Sequence, residues 1–190
     1  MGFLDTLLGR TKPAPPNLDN LFALPGAAIT LQAATDFTPT GAGSVCFRSA
    51  EGRAFSDIEK DVRELLSMGN DRNAVQVSTD AYGFSWLVCH HEPGDPEGLV
   101  TDLHAVNSSL ELGGFGPQLL CTIMSFKDAG GRNLGLVYLY KRGTFYPFAP
   151  KSGERRDNGL ELQMRGVLEN DLKIEPELGR WFPVWGAPGL

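Results

Sequence analysis

The stretch Phe84-Ser-Trp-Leu-Val-Cys89, followed by Asp95-Pro96 and then by Leu99, Leu103, Val106 and Leu110, decides how this chain is read. Six residues rich in aromatic and branched side chains, entered through Gly83, predict a strand. Asp95 is an N-cap residue and Pro96 suits the first helical position, where its missing N–H costs nothing. The four apolar residues recur at i, i+4, i+7 and i+11, one face of a helix, and Gly113-Gly114 stops it. Ala74-Val-Gln-Val-Ser78 before Gly83 supplies a hairpin partner. The unit is therefore strand, strand, helix.

The same order extends both ways along the chain. Upstream, Ala28-Ile-Thr-Leu-Gln32 and Ser44-Val-Cys-Phe-Arg48 read as strands joined through Pro39 and Gly41. A helix follows, with Ser56 and Glu59 as a capping box and Phe55, Ile58, Val62, Leu65 and Leu66 as its apolar face. Downstream, Leu119–Phe126 and Leu134–Tyr140 form strands joined through Gly130-Gly131, and Thr144–Phe148 reads as a further strand. A last helix carries Leu160, Met164, Val167 and Leu168. The first strands begin near residues 28, 74 and 118, and Cys46 and Cys89 fall on corresponding second strands. Hairpins followed by helices imply antiparallel pairing. The expectation is an α+β fold: an antiparallel sheet of about six to seven strands, built from three ββα-like units, with helices packed on one face. The other face is free to meet a ligand or a partner.

The ends differ from this middle. Phe3, Leu4, Leu7 and Leu8 gather on one helical stripe, followed at once by Arg10 and Lys12. Pro13, Pro15 and Pro16 then forbid helix and favour a stiff spacer. A short amphipathic helix over residues 1–12, a proline-rich linker over 13–20 and one α+β domain over 21–190 follow from this. So short a helix is stable only when docked, on an anionic membrane surface, on a partner protein or on its own domain. No longer apolar stretch with a cleavage site marks a secretory signal. Trp181, Phe182 and Trp185 crowd the C-terminal residues, and aromatics of that size predict a tail strapped across the core.

Composition limits the function classes. The 190 residues carry 17 basic and 23 acidic side chains, a net charge of −6, which excludes a DNA binder of the usual basic kind and disfavours RNA. No apolar run reaches the roughly 18 residues of a membrane span. Three separated cysteines without a CxxC pair fit a reducing cytoplasm better than a disulfide framework. One block runs against the acidic balance: Lys127, Arg132, Lys141, Arg142, Lys151, Arg155 and Arg156 are interleaved with tyrosines and phenylalanines, a basic patch suited to anionic lipid, an acidic protein helix or, least in keeping with the acidic remainder, RNA. Cys89-His-His-Glu92 is the densest set of metal-ligand types. In a strand, however, Cys89 and His91 face away from His90, so a site needs His104 or Cys121 from elsewhere, and no metal or cofactor is expected. The glycine pairs match no phosphate-binding loop.

Four stretches carry a resemblance: Met1-Gly-Phe-Leu-Asp-Thr-Leu-Leu-Gly-Arg-Thr-Lys-Pro13, Asn17-Leu-Asp-Asn-Leu-Phe-Ala-Leu-Pro25, Gly43-Ser-Val-Cys-Phe-Arg48 and Arg180-Trp-Phe-Pro-Val-Trp-Gly-Ala-Pro188. Together they resemble the PspA-associated protein family PspAB. The resemblance implies a cytoplasmic, non-enzymatic accessory of the phage-shock envelope-stress response, acting with a PspA-like coiled-coil protein or at the inner membrane face. It brings no catalytic residues. The alternative from another class is a small-molecule- or metal-dependent enzyme that uses the free sheet face near Cys89–Glu92.

Overall fold

The computed structural model describes residues 17–48, 56–57, 60, 62, 64 and 75–190. Its centre is one antiparallel sheet of strands β1 (Thr38–Arg48), β2 (Gln76–Thr79), β3 (Phe84–His90), β4 (Leu119–Lys127), β5 (Asn133–Leu139) and β6 (Thr144–Phe148), in the order β2-β3-β1-β4-β5-β6. A small hairpin pairs β7 (Pro150–Lys151) with β8 (Arg155–Arg156). Helices α1 (Leu24–Ala34), α2 (Pro96–Leu110) and α3 (Asn158–Leu168) complete the α+β architecture. Ser56, Asp57, Lys60, Val62 and Glu64 are also helical, with Val62 buried and the other four exposed.

Strand alternation divides the core into two layers. Val45, Phe47, Met124, Phe126, Leu136 and Tyr138 face the helices, and meet Leu24 and Leu31 of α1, Leu99, Leu103, Val106 and Leu110 of α2, and Leu160, Met164 and Leu168 of α3. Cys46, Trp86, Val88, Cys121, Ile123, Val137, Tyr146 and Phe148 face the other way. Helices α1, α2 and α3 therefore cover one face, as expected. Asp95 caps α2 by accepting the Gly98 N–H at 3.0 Å, and Pro96 stands in the first turn.

Three details depart from expectation. Ala28–Gln32 is not a strand but the body of α1. Its buried residues Leu24, Ala27, Ala28 and Leu31 keep the helical i, i+3, i+4, i+7 spacing, Ile29 points to solvent, and Pro25 opens the first turn. The first of the three units therefore lacks its hairpin, and Pro39 and Gly41 lie inside β1 rather than in a turn. Leu18–Ala23, partly within the expected linker, is a 3-10 helix with Leu18 and Leu21 buried. Finally, the second sheet face is not free: Trp181 and Ala187 are buried on it.

Close backbone approach fixes the end of β1. The chain bulges between Pro39 and Gly43, and Gly41 has φ of 78°. A Cβ at Gly41 would lie 2.1 Å from the His91 carbonyl oxygen, and one at Gly43 would lie 2.7 Å from Leu103 Cδ1. Glycine here lets the loop before α2, and α2 itself, sit directly on the strand. At the β6 edge of the sheet, residues 173–175 run beside the strand. Phe145 N–H donates to the Lys173 carbonyl, and Glu175 N–H to the Phe145 carbonyl, which satisfies an otherwise bare strand edge.

Candidate functional site

The C-terminal segment reaches the second sheet face because its aromatic side chains have both apolar surface to cover and polar atoms to satisfy. The Trp181 ring stacks on Tyr146 at 5.9 Å, and its Nε1–H donates to the Glu175 carbonyl at 3.0 Å. Tyr146 donates its hydroxyl to the Phe182 carbonyl at 2.7 Å, and burial pushes that phenol well above its ordinary pKa, keeping it a donor. Trp185 meets Phe148 edge-on at 5.0 Å. Arg156 ties the segment to α3: it donates to the Trp181 carbonyl, pairs with buried Glu161 at 2.9 Å and lies over the Phe148 ring. Glu161 also accepts the Ala149 N–H, so the buried charge is both paired and hydrogen-bonded.

Beneath this segment lies a pocket of about 690 Å³. Its floor is Cys46, Trp86, Cys121 and Tyr146 from the sheet, its sides include Phe84, Leu120 and Leu139, and Phe182 and Trp185 border it from the C-terminal segment. Charged groups join this lining: Arg48, Lys141, Arg142, Arg180 and Asp80. Asp80 is turned inward, accepting the Tyr82 and Phe84 N–H groups and the Trp86 indole N–H, each at 2.9 Å. Arg142 pairs with fully buried Glu175 at 2.7 Å, and Arg180 pairs with Glu177. Among the described residues Arg48 and Lys141 have no ion-pair partner. The pocket thus combines an apolar interior with two cations and one carboxylate, Asp80, none of them in an ion pair among the described residues.

Cys46 and Cys121 stand directly opposite each other on β1 and β4. The neighbouring Cys121 thiol, together with burial, pushes the Cys46 thiol far above its ordinary pKa. Both behave as compact apolar groups of the floor. Cys89 faces the helices instead, and burial there pushes its thiol up to about 12. Cys46 and Cys89, matched by position along the chain, therefore lie on opposite faces.

The Cys89–Glu92 set is dispersed by the fold. His90 and Glu92 are exposed. His91 bridges two carboxylates, with Nδ1 2.8 Å from Asp95 Oδ2 and Nε2 2.7 Å from Asp102 Oδ2. His104 lies on α2, its ring 4.8 Å from Phe22 and its Nε2 3.5 Å from Asp19. Among the described residues no three His, Cys, Asp or Glu side chains are grouped to hold a metal. The basic block is dispersed as well: Arg132 pairs with Asp128, Lys151 with Asp157, Arg142 with Glu175 and Arg156 with Glu161. Arg155 donates to the Ser152 carbonyl, and Lys127 lies at the end of β4, away from the pocket. Only Lys141 and Arg142 of that block reach the pocket. Arg48, Trp86 and Arg180 join them from elsewhere, and no local pattern marked those three. The stripe Phe3, Leu4, Leu7 and Leu8, with Arg10 and Lys12, lies outside the described residues. No helix among the described residues is long and apolar enough to cross a membrane.

A family model described as PspAB, PspA associated protein B, matches residues 1–189. No curated protein and no solved structure matches.

Proposed function

Because the chain belongs to the PspA associated protein B family, we propose that it is a non-catalytic accessory of the phage-shock envelope-stress response, binding a PspA-like coiled-coil protein on the cytoplasmic side of the inner membrane. The observation that carries this reading is the extent of the family match, which takes in both the apolar stripe at residues 3–8 and the aromatic C-terminal segment. Two further features favour holding over transforming. The Cys89 thiol is buried with its pKa raised, and both ring nitrogens of His91 are engaged by carboxylates. A nucleophile or base in chemistry needs the opposite: a depressed thiol pKa and a ring nitrogen open to substrate.

In this proposal Phe3, Leu4, Leu7 and Leu8 form the docking face, and Arg10 and Lys12 add attraction to anionic lipid headgroups or an acidic partner helix. Burying four such side chains stabilises by roughly 1.5–3 kcal/mol each, which a docked helix needs to offset the ordering of its backbone. Leu4→Glu with Leu8→Glu places two charges in that face. Capture of the full chain by an immobilised PspA-like protein is expected to fall at least tenfold, as is co-sedimentation with phosphatidylglycerol vesicles. Wild-type behaviour of the double variant in both assays rejects the docking face.

A further inference from the structure

We propose that the pocket between the sheet and the C-terminal segment binds a small single-chain amphipathic anion: one unbranched apolar chain ending in a carboxylate or a phosphate. The inference is independent of the partner assignment above, because it rests on the pocket alone.

The interior dictates the apolar body. Its floor is the paired thiols Cys46 and Cys121 with the Trp86 and Tyr146 rings, and the polar groups of those two rings are already committed. The Trp86 indole N–H is given to Asp80 and the Tyr146 hydroxyl to the Phe182 carbonyl. A sugar or a nucleobase brings several donors and acceptors, and the floor's two ring groups offer it none, which costs more than leaving them in water. A saturated chain needs none. The volume of about 690 Å³ falls within the range of small-molecule sites.

The charged lining dictates the head. Asp80 already accepts three of the protein's own N–H groups, two on Oδ1 and one on Oδ2, so it has little capacity left for a cationic head. Arg48 and Lys141 are exposed, border the pocket and have no ion pair among the described residues. Arg142 and Arg180 stand beside them with their charges already balanced by Glu175 and Glu177. Arg48 and Lys141 outnumber Asp80, the one carboxylate of the lining, and an anion held between them gives both a partner while its chain enters the cavity.

Two sources supply this chemistry, free fatty acids and single-chain lysophospholipids, and titration separates them. Trp86 and Trp185 line the pocket, so intrinsic fluorescence of the full chain reports occupancy. Decanoate, laurate and myristate are titrated below their micelle concentrations, beside lauroyl-lysophosphatidate and neutral dodecanol. Saturable one-to-one binding of the anions is expected, with affinity rising by roughly fourfold per added methylene until the cavity is filled. Arg48→Ala with Lys141→Ala, both on the surface, is expected to weaken the anions at least tenfold and to leave dodecanol unchanged. Leu120→Trp, which fills the cavity from a half-buried position, is expected to abolish binding of all of them. Binding of the fatty acids alone assigns a free acid, and binding of lysophosphatidate alone assigns a lipid breakdown product. The proposal fails if no anion binds, if dodecanol binds as tightly as laurate, or if the Arg48 and Lys141 double variant keeps wild-type affinity.

Discussion

His91 shows how one side chain in this molecule is used for structure. It leaves the end of β3 between Asp95, the cap of α2, and Asp102, about two turns further along that helix, so the imidazole fastens helix to strand. Burial works against the protonated ring, but the hydrogen bonds it donates to Asp102 and Asp95 outweigh it and the pKa is raised above 6.5. A group whose pKa is raised on folding contributes stability that is fully present below its unfolded pKa and fades as pH climbs through the folded one. Asp95 moves the opposite way, its pKa lowered first by the bond to His91, so its own share fades only in acid. Replacing His91 by Gln is therefore expected to cost more stability at pH 6 than at pH 9. Urea midpoints at the two pH values measure this, and an equal cost at both means that the imidazolium charge is not what fastens the helix. The Asp95 cap was legible in the sequence from Asp-Pro alone. Its second role was not, since nothing local links residue 91 to residue 102.

At the scale of elements, the C-terminal segment behaves as a strap whose hold is concentrated in one residue. Trp181 is 5% exposed while its neighbour Phe182 is 60% exposed. Trp181→Ala removes the stack on Tyr146 and the bond to the Glu175 carbonyl, and is expected to cost about 3–5 kcal/mol, whereas Phe182→Ala is expected to cost under about 1 kcal/mol. Urea unfolding of the two variants tests this; equal small costs would mean that the segment lies on the sheet without anchoring there. Such a strap was readable from Trp181 and Trp185, because aromatics of that size among prolines and glycines have little to do but cover a core. Strands β3, β4 and β5 were readable for a similar reason, as apolar runs bounded by glycine turns. Helix α1 was misread because Ile29 and Thr30 are β-branched, and five residues viewed alone favour a strand. The eleven-residue window around them carries the helical spacing of Leu24, Ala27, Ala28 and Leu31, and tertiary packing followed that spacing.

The pocket is a property of the whole molecule, and for that reason it was hidden in the sequence. Its floor joins residues 46, 86, 121 and 146, which come together only because β1 is inserted between β3 and β4 and β5 carries β6 alongside. No periodicity announces strand order. The same topology makes a statement about stability. Adjacent residues of the central strands serve opposite layers: Val45 and Cys46, Ile123 and Met124, Leu136 and Val137. Neither layer can loosen without pulling the shared strands out of register with the other. At 190 residues the chain exceeds the roughly 150-residue size below which single-step unfolding is usual, so cooperativity here has to come from that sharing. Far-UV circular dichroism, which follows the sheet and helices together, and tryptophan fluorescence, which follows Trp86, Trp181 and Trp185 on the second layer, are expected to give superimposable urea transitions. A fluorescence change that precedes the loss of secondary structure would show the strap and its layer opening as a separate unit. The pocket beneath it would then be gated by that opening, and ligand affinity would track the stability of the strap.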